Sequence, residues 1–313
     1  MKIAINGTGL VQRASVEAIV EHAQRAALDG FSSYWLAEHP TGGLDALTVL
    51  TVVGQQLPDL ELGTAIVPTF PRHPMALAGQ VLTAQSVIGK RLTLGIGLSH
   101  EAMMAQLGIP FERPIGHLKD YLSILMPLLN EGSVSYDGEL LSCHAEIFAR
   151  PEEPSQVLVA ALGPQALAVA GRLADGTTLA WVGPKTVREH IRPRLSEAAD
   201  AAGRGTPRIL ATLPVCVTDD EERIRSRISK TLKMYGQLPS YKAMFEREGI
   251  SEPGELALVG SASSVAEQIV ALEEAGITDY AASEFTTSTA ESEATRERLC
   301  QRAEDPNPTQ PRS

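Results

Sequence analysis

The sequence predicts an α/β fold, a (β/α)8 barrel with an insertion after its fourth strand, and three observations carry that expectation. The first is size: 313 residues, 43% hydrophobic and 21% charged, bury one large core and exclude a mainly disordered chain. The second is rhythm, because short β-like runs alternate with helical patterns from end to end, as in a parallel sheet with crossover helices. The third is number. Strong strands centred on Ile3, Trp35, Ala65, Leu94, Val159, Leu179, Val215 and Tyr280 make eight, with a weaker run at Leu256, and eight strands close a barrel. An open dinucleotide-binding sheet is the rival, but Asn6-Gly7-Thr8-Gly9-Leu10 after the first strand lacks the third glycine of that fingerprint.

Each element has its own signals. After the strand from Lys2 to Asn6, a helix runs from Ser15 to Leu28 with Val16, Ile19, Val20, Ala23 and Ala27 on one face, and Gly30 ends it. The strand from Ser33 to Ala37 leads to a helix from Leu44 to Leu57, which Pro58 breaks before the strand from Glu61 to Val67. Pro74 opens the next helix, to Ile88, and the fourth strand follows from Arg91 to Gly97. There the rhythm is interrupted by two helical segments and a hairpin with Asp137-Gly138 at its turn. This stretch, from about Ala102 to Arg150, is expected to form a lid over the barrel mouth. Alternation resumes with strands from Gln156 to Ala161, Thr177 to Trp181, Arg208 to Val217 and Asp279 to Glu284, and helices between them. Residues 1–290 form one barrel domain, and 291–313 a helix remnant and a disordered tail.

Composition excludes several functions. With 27 basic and 38 acidic side chains the net charge is −11, which argues against a broad nucleic-acid surface. Cys143, Cys216 and Cys300 are too scattered for a disulfide framework or a CxxC metal site. No secretory leader or long apolar run is evident, so a soluble cytoplasmic protein with no membrane partner is expected.

In a barrel, chemistry gathers at the C-terminal ends of the strands. Those ends read Glu38-His39-Pro40, Gly97-Leu98-Ser99-His100-Glu101, Leu162-Gly163-Pro164 and Trp181-Val182-Gly183. His39 and His100 are candidate catalytic groups, since imidazole exchanges a proton near neutrality, or else inert loop residues. No ligand spacing accompanies them, so no metal is expected. His22, His117, His144 and His190 are read as surface residues. Gly163-Pro164 opens a helix and Gly176-Thr177 ends the loop that follows it, offering free amides to a phosphate. A helix started by proline, which needs no ligand, explains the same spacing equally well.

Five segments together carry a resemblance: Trp35-Leu36-Ala37-Glu38-His39, the stretch from Gly63 to Pro74, the stretch from Gln80 to Gly89, the stretch from Arg91 to Gly97, and Ala161-Leu162-Gly163-Pro164 followed by Ala174-Asp175-Gly176. Over residues 1–290 the chain resembles the luciferase-like monooxygenase superfamily, and within it the branch that uses coenzyme F420, a deazaflavin. The resemblance implies a TIM barrel with the cofactor in its mouth. It also implies a non-prolyl cis bond at Thr64-Ala65 behind the ring with Gly97 nearby, and phosphate contacts at Leu162 and Gly163 with Gly176 and Thr177 close by. His39 matches a histidine placed near the hydride in F420-linked sugar-phosphate dehydrogenases; His100 stands where those enzymes carry a glutamate, which puts a sugar-phosphate substrate in doubt.

The implied activity is hydride transfer between the deazaflavin and a small organic molecule, either reduction of an activated C=C or C=N bond or oxidation of an alcohol. Trp181 is expected to wall the substrate pocket, and Met103, Met104, Leu107, Ile109 and Phe111 favour an apolar or mixed substrate. Arg72, Arg113, Lys119, Lys185 and Arg188 are candidate partners for the anionic cofactor tail. The rivals are an FMN-dependent monooxygenase of the same superfamily and a barrel that binds cofactor without turnover. A homodimer is compatible with all three.

Overall fold

The computed structural model describes residues 1–11, 15–148 and 154–304. Arg150 at the end of the expected lid, and the tail from residue 305 onwards, lie outside the described residues. Eight strands close the barrel: β1 (Lys2–Asn6), β2 (Ser33–Leu36), β3 (Glu61–Thr64), β4 (Leu92–Gly97), β5 (Gln156–Val159), β6 (Gly176–Ala180), β7 (Arg208–Val217) and β8 (Asp279–Glu284). Each pairs in parallel with the next, and β8 returns to β1 with Lys2 opposite Asp279 and Ile5 opposite Ala282.

Both faces of these strands are buried, so they read as unbroken apolar runs. Odd and even positions nevertheless part company. Ile3, Ile5, Tyr34 and Leu36 join the large core beneath the helices, whereas Ala4, Trp35, Leu158, Leu210 and Ala281 form a separate cluster inside the barrel. The Trp35 indole requires glycine at position 63, because a methyl there would sit 2.1 Å from its ring. Arg208 closes the floor: it grips Asp279 through two nitrogens at 3.0 and 2.7 Å, reaches Glu61 at 2.6 Å and lies 5.4 Å from the Trp35 ring centre. Burial opposes its charge, but the bonds to Asp279 and Glu61 prevail and hold the guanidinium above its ordinary pKa.

Four expectations are corrected. The strand from Glu61 to Val67 is broken, ending at Thr64 before the chain rejoins β4 through Val67–Pro68. The weak Leu256 run becomes Leu258–Gly260, which pairs only with β7 and stands outside the barrel. Within the expected lid, the helix Pro114–Asn130 belongs to the outer ring, packed between Pro74–Ile88 and Pro164–Leu173. Its Leu118, Tyr121, Leu122, Leu125 and Leu129 are fully buried, an apolar face that makes this part of the insertion a piece of the barrel's outer ring. The hairpin Ser133–Asp137 and Ser142–Glu146 lies along this helix, its tip tied down by Asp120, which accepts from the Tyr136 hydroxyl and the Leu140 and Leu141 amides. Finally, the helix Thr289–Glu304 is no remnant, for it packs on β1 and β7 with Thr295 and Leu299 fully buried. Its polar composition hides that role because its charges are paired: Arg296 with Asp29 and Glu284, and Glu291 with Arg223.

No helix among the described residues is long and apolar enough to cross a membrane.

Candidate active site at the barrel mouth

The mouth is assembled from the chain just beyond the strands. Past β3 a cis peptide joins Ala65 to Ile66, one bond further on than the Thr64-Ala65 position implied by the resemblance. The shift follows from the bonds on either side. The Ala65 amide donates to the Leu36 carbonyl at 2.7 Å, continuing the β2 ladder, while the Ile66 carbonyl accepts from the Glu38 amide at 2.9 Å. Thr64 is held within the barrel wall by its hydroxyl, which donates to the Gly95 carbonyl and accepts from the Gly95 amide, both at 2.8 Å. Thr64 is therefore fully buried, while Ala65 and Ile66 are half-exposed and form a bulge that faces the mouth. Gly97 lies directly beneath it: a methyl at 97 would meet Ile66 at 3.1 Å.

His39 stands half-buried beyond β2, with Nδ1 3.1 Å from the Thr41 hydroxyl. Next to it, burial pushes the Glu38 carboxyl up against the opposing pull of Arg72, which contacts both Glu38 and Asp45. His100 follows Ser99, whose backbone is left-handed at φ 63°. Trp181 ends β6 in the same conformation at φ 59°. Non-glycine residues in this region are sparse and gather at functional sites.

The segment between β7 and β8 supplies what the sequence reading missed. Its helices Lys233–Gln237 and Pro239–Glu248 carry Tyr235 and Tyr241. The Tyr241 ring lies 5.5 Å from His100, Tyr235 lies 5.6 Å from Trp181, and the two tyrosines are 5.8 Å apart. Four rings thus form a continuous aromatic wall across the mouth. Burial lowers the His100 pKa and raises the phenols of Tyr235 and Tyr241, favouring the neutral form of each. Glu248 anchors this segment, taking the Lys185 and Thr186 amides at 3.1 and 2.7 Å at the helix start beyond β6. The β7–β8 connection, outside the expected lid, thus reaches the rings at His100 and Trp181. Glycine before a short helix and a Tyr-x5-Tyr pair were the available signals, and neither announces a partner so distant in sequence.

Beyond β5, Leu162-Gly163 opens the helix Pro164–Leu173 with no side-chain cap. The Gly163, Gln165 and Ala166 amides find no acceptor among the described residues, and Gly163 is exposed. The neighbouring helix start at Gly183 is occupied by Glu248, so the Gly163 turn is the open anion position of the two. Gly176 and Thr177 do not join it. They begin β6, opposite Leu158 and Val159, about four residues and ~13 Å below the mouth. Gly176 answers a different need, since a methyl there would meet the Arg208 carbonyl at 1.9 Å, and the Thr177 hydroxyl donates to the Val159 carbonyl within the wall.

Two histidines read as surface residues are buried. His117 stacks on Phe70 at 4.0 Å with Nε2 3.2 Å from the Thr69 hydroxyl, and His190 bonds the Leu162 carbonyl at 2.8 Å. His22 is half-buried against Tyr34, and His144 is exposed on the hairpin. Of the candidate tail partners, Arg72 is already held by two carboxylates, Arg113 pairs with Glu139, and Arg188 lies near Glu189. Lys119 and Lys185 are exposed with no carboxylate partner among the described residues. No cluster of three or more potential metal ligands occurs among the described residues.

Comparison with known proteins places this arrangement. The sequence model of the luciferase-like monooxygenase family matches residues 3–279. The chain belongs to that family. Among the relatives of this luciferase-like protein is a 5,10-methylenetetrahydromethanopterin reductase from Methanolobus tindarius, 23% identical over 257 residues, covering 82% of this chain and 78% of the relative. An F420-dependent glucose-6-phosphate dehydrogenase from Kineococcus radiotolerans is 28% identical over 217 residues, 65% of this chain and 64% of the relative. The solved structure of the coenzyme F420-dependent tetrahydromethanopterin reductase from Methanopyrus kandleri superposes with a TM-score of 0.81 at 21% identity, over 96% of this chain and 97% of that one. That likeness establishes the shared barrel.

Proposed function

We propose that this luciferase-like barrel is an F420-dependent oxidoreductase acting on a small organic substrate. The observation that carries the reading is the convergence, on one barrel face, of the Ala65–Ile66 bulge, the uncapped amides at Gly163 and the His39 and His100 side chains. The F420-dependent relatives favour the deazaflavin over FMN. Such a cofactor, when bound, supplies hydride transfer. The chain's own groups fit it: the bulge offers a backbone face for a flat ring, and the Gly163, Gln165 and Ala166 amides suit a phosphate. Thr64 and Gly97 act from behind, fixing the bulge, and Leu162 presents the turn.

The two histidines divide the proton work. His100, kept neutral by burial against Tyr241, is suited to accept a proton or donate a single N–H bond, as an electrophile of fixed geometry. His39, with its Nδ1 next to Thr41, presents Nε2 for the proton that accompanies hydride. Trp181, Tyr235 and Tyr241 exclude water from the reacting centre. This set serves reduction of an activated C=C or C=N bond and oxidation of an alcohol alike.

Titrating the purified protein with F420 and with FMN, followed by ligand fluorescence, tests the assignment. F420 should bind more tightly, and more weakly with added salt if Lys119 or Lys185 meets its tail. A preference for FMN with oxygen consumption makes the protein a monooxygenase instead. Tight F420 binding with no hydride exchange to any carbonyl, enone, imine or alcohol makes it a carrier.

A further inference from the structure

We infer that His190 is a positioning residue for the anion-binding turn at Leu162-Gly163, an inference that rests on the phosphate role proposed above for that turn. His190 is 2% exposed and lies in the π-helical turn Val187–Ile191. Single π turns recur at functional sites because they rotate one side chain out of the regular helical register. Here the His190 side chain reaches from the helix after β6 to the β5 loop, where its Nε2 lies 2.8 Å from the Leu162 carbonyl. A carbonyl only accepts, so Nε2 carries the hydrogen. The other nitrogen, Nδ1, is buried with no partner. The ring is therefore fixed as one tautomer with a single donor, and that donor is spent on the turn.

The consequence for the ligand side follows from peptide geometry. The Leu162–Gly163 bond is trans, and in a planar trans peptide the carbonyl and the following N–H point in opposite directions. Drawing the Leu162 carbonyl toward His190, away from the mouth, aims the Gly163 N–H the other way. That amide has no acceptor among the described residues, and neither do those of Gln165 and Ala166. Among the described residues no other hydrogen bond reaches this peptide group; the Leu167 amide holds only the following Gly163 carbonyl, at 3.0 Å, and the helix start lacks a side-chain cap. Without the imidazole, this plane is free to rotate and the Gly163 amide loses the direction it shares with the Gln165 and Ala166 amides, which the helix itself holds.

His190→Phe keeps a ring of similar size and removes the donor. His190→Gln keeps an amide nitrogen near the Nε2 position, and His190→Asn places it short of Leu162. Affinity is measured for F420 and for its phosphate-free deazaflavin chromophore, together with FMN and riboflavin as a second pair. In the Phe and Asn variants the advantage of the phosphate-bearing member should fall about three- to ten-fold, the range of one hydrogen bond. Affinity for the phosphate-free member should stay within two-fold, and Gln should restore the wild-type ratio. Equal weakening of both members would mean that His190 merely supports the fold and would overturn the inference. So would a wild-type protein that gains nothing from the phosphate.

A second readout does not depend on the cofactor. Amide hydrogen exchange of the ligand-free protein at Leu167, whose N–H donates to the Gly163 carbonyl at 3.0 Å, should quicken in the Phe and Asn variants and not in Gln, with β5 itself unchanged. Unaltered exchange overturns the inference even where F420 binds. Failure of the wild-type protein to bind F420 or FMN refutes the proposed function and leaves this exchange comparison to decide the positioning role on its own.

Discussion

Gly163→Ala separates a glycine kept for a ligand from glycines kept for the fold. The backbone at Gly163 has φ −80° and ψ 156°, ordinary for alanine, and a methyl there has nothing within 4 Å. Substitution should therefore leave the ligand-free protein as stable as before, or stabilise it by about 0.4–1 kcal/mol through the lower entropy of the unfolded chain. The methyl would stand beside the open amides, where a phosphate must approach. Losing one charge-assisted hydrogen bond costs about 1.5–3 kcal/mol, so F420 affinity should fall by roughly ten- to a hundred-fold. Gly95→Ala is the contrast. Its methyl would lie 1.9 Å from the Thr64 carbonyl, and a backbone atom cannot yield, so it should destabilise by at least about 1–3 kcal/mol. Urea unfolding of the two variants without ligand, and fluorescence titration with F420, provide both readouts. A Gly163→Ala protein that binds F420 like wild type, or one that loses stability on the scale of Gly95→Ala, refutes the reasoning.

Other outcomes are expected. Arg208→Met strands Asp279, 3% exposed, beneath the barrel, and should cost about 3–5 kcal/mol in urea unfolding; adding Asp279→Asn and Glu61→Gln should recover most of it, and no recovery would mean that packing rather than charge is at stake. His39→Ala and His100→Ala should lower kcat by about 10²–10⁴-fold with cofactor affinity within a few-fold; wild-type kcat in both would move the proton source to water or substrate. Burial lowers the pKa of His100, His117 and His190, so the unfolded chain takes up protons first as pH falls. Stability should be intact above the ordinary value of 6.5 and decline below it, by at most about 1.4 kcal/mol per pH unit for each histidine. Denaturant midpoints at pH 7.5 and 5.5, compared with His117→Gln, check the sign; a rise in stability on acidification would contradict it.

The barrel was legible because a parallel strand buried on both faces leaves a strong trace, as in Ile3-Ala4-Ile5 or Leu92 to Gly97. Where backbone geometry rather than hydropathy set the structure, the trace failed. Glu61 to Val67 reads as one strand, yet the ladders to Leu36 and Glu38 divide it at the bulge. Gly176 reads as a ligand glycine, and the structure adds two reasons for it that the sequence hides, the approach of the Arg208 backbone and a φ of +156°. His117 was within reach, since it shares a helical face with Tyr121, Ile124 and Leu128. His190 was not, because a π turn breaks the period on which such reasoning depends.

The mouth also explains why two glycine-led helix starts on adjacent strands serve different ends. Each presents free amides and the positive end of a helix dipole, and left alone each would attract an anion. At Gly183 the protein supplies the anion itself: Glu248 fills the site so closely that a methyl at 183 would lie 2.3 Å from its carboxyl carbon. That contact pins the segment bearing Tyr235 and Tyr241 over His100 and Trp181. At Gly163 no carboxylate intrudes among the described residues, and His190 bonds the Leu162 carbonyl of the turn. An internal anion beyond β6 holds the tyrosine-bearing segment, the turn beyond β5 is left open, and the proposed proton-handling residues His100 and His39 follow β4, between that turn and the bulge, and β2, beyond it. Chemistry at this mouth is thus set by which amide cluster the chain satisfies for itself and which it leaves unsatisfied.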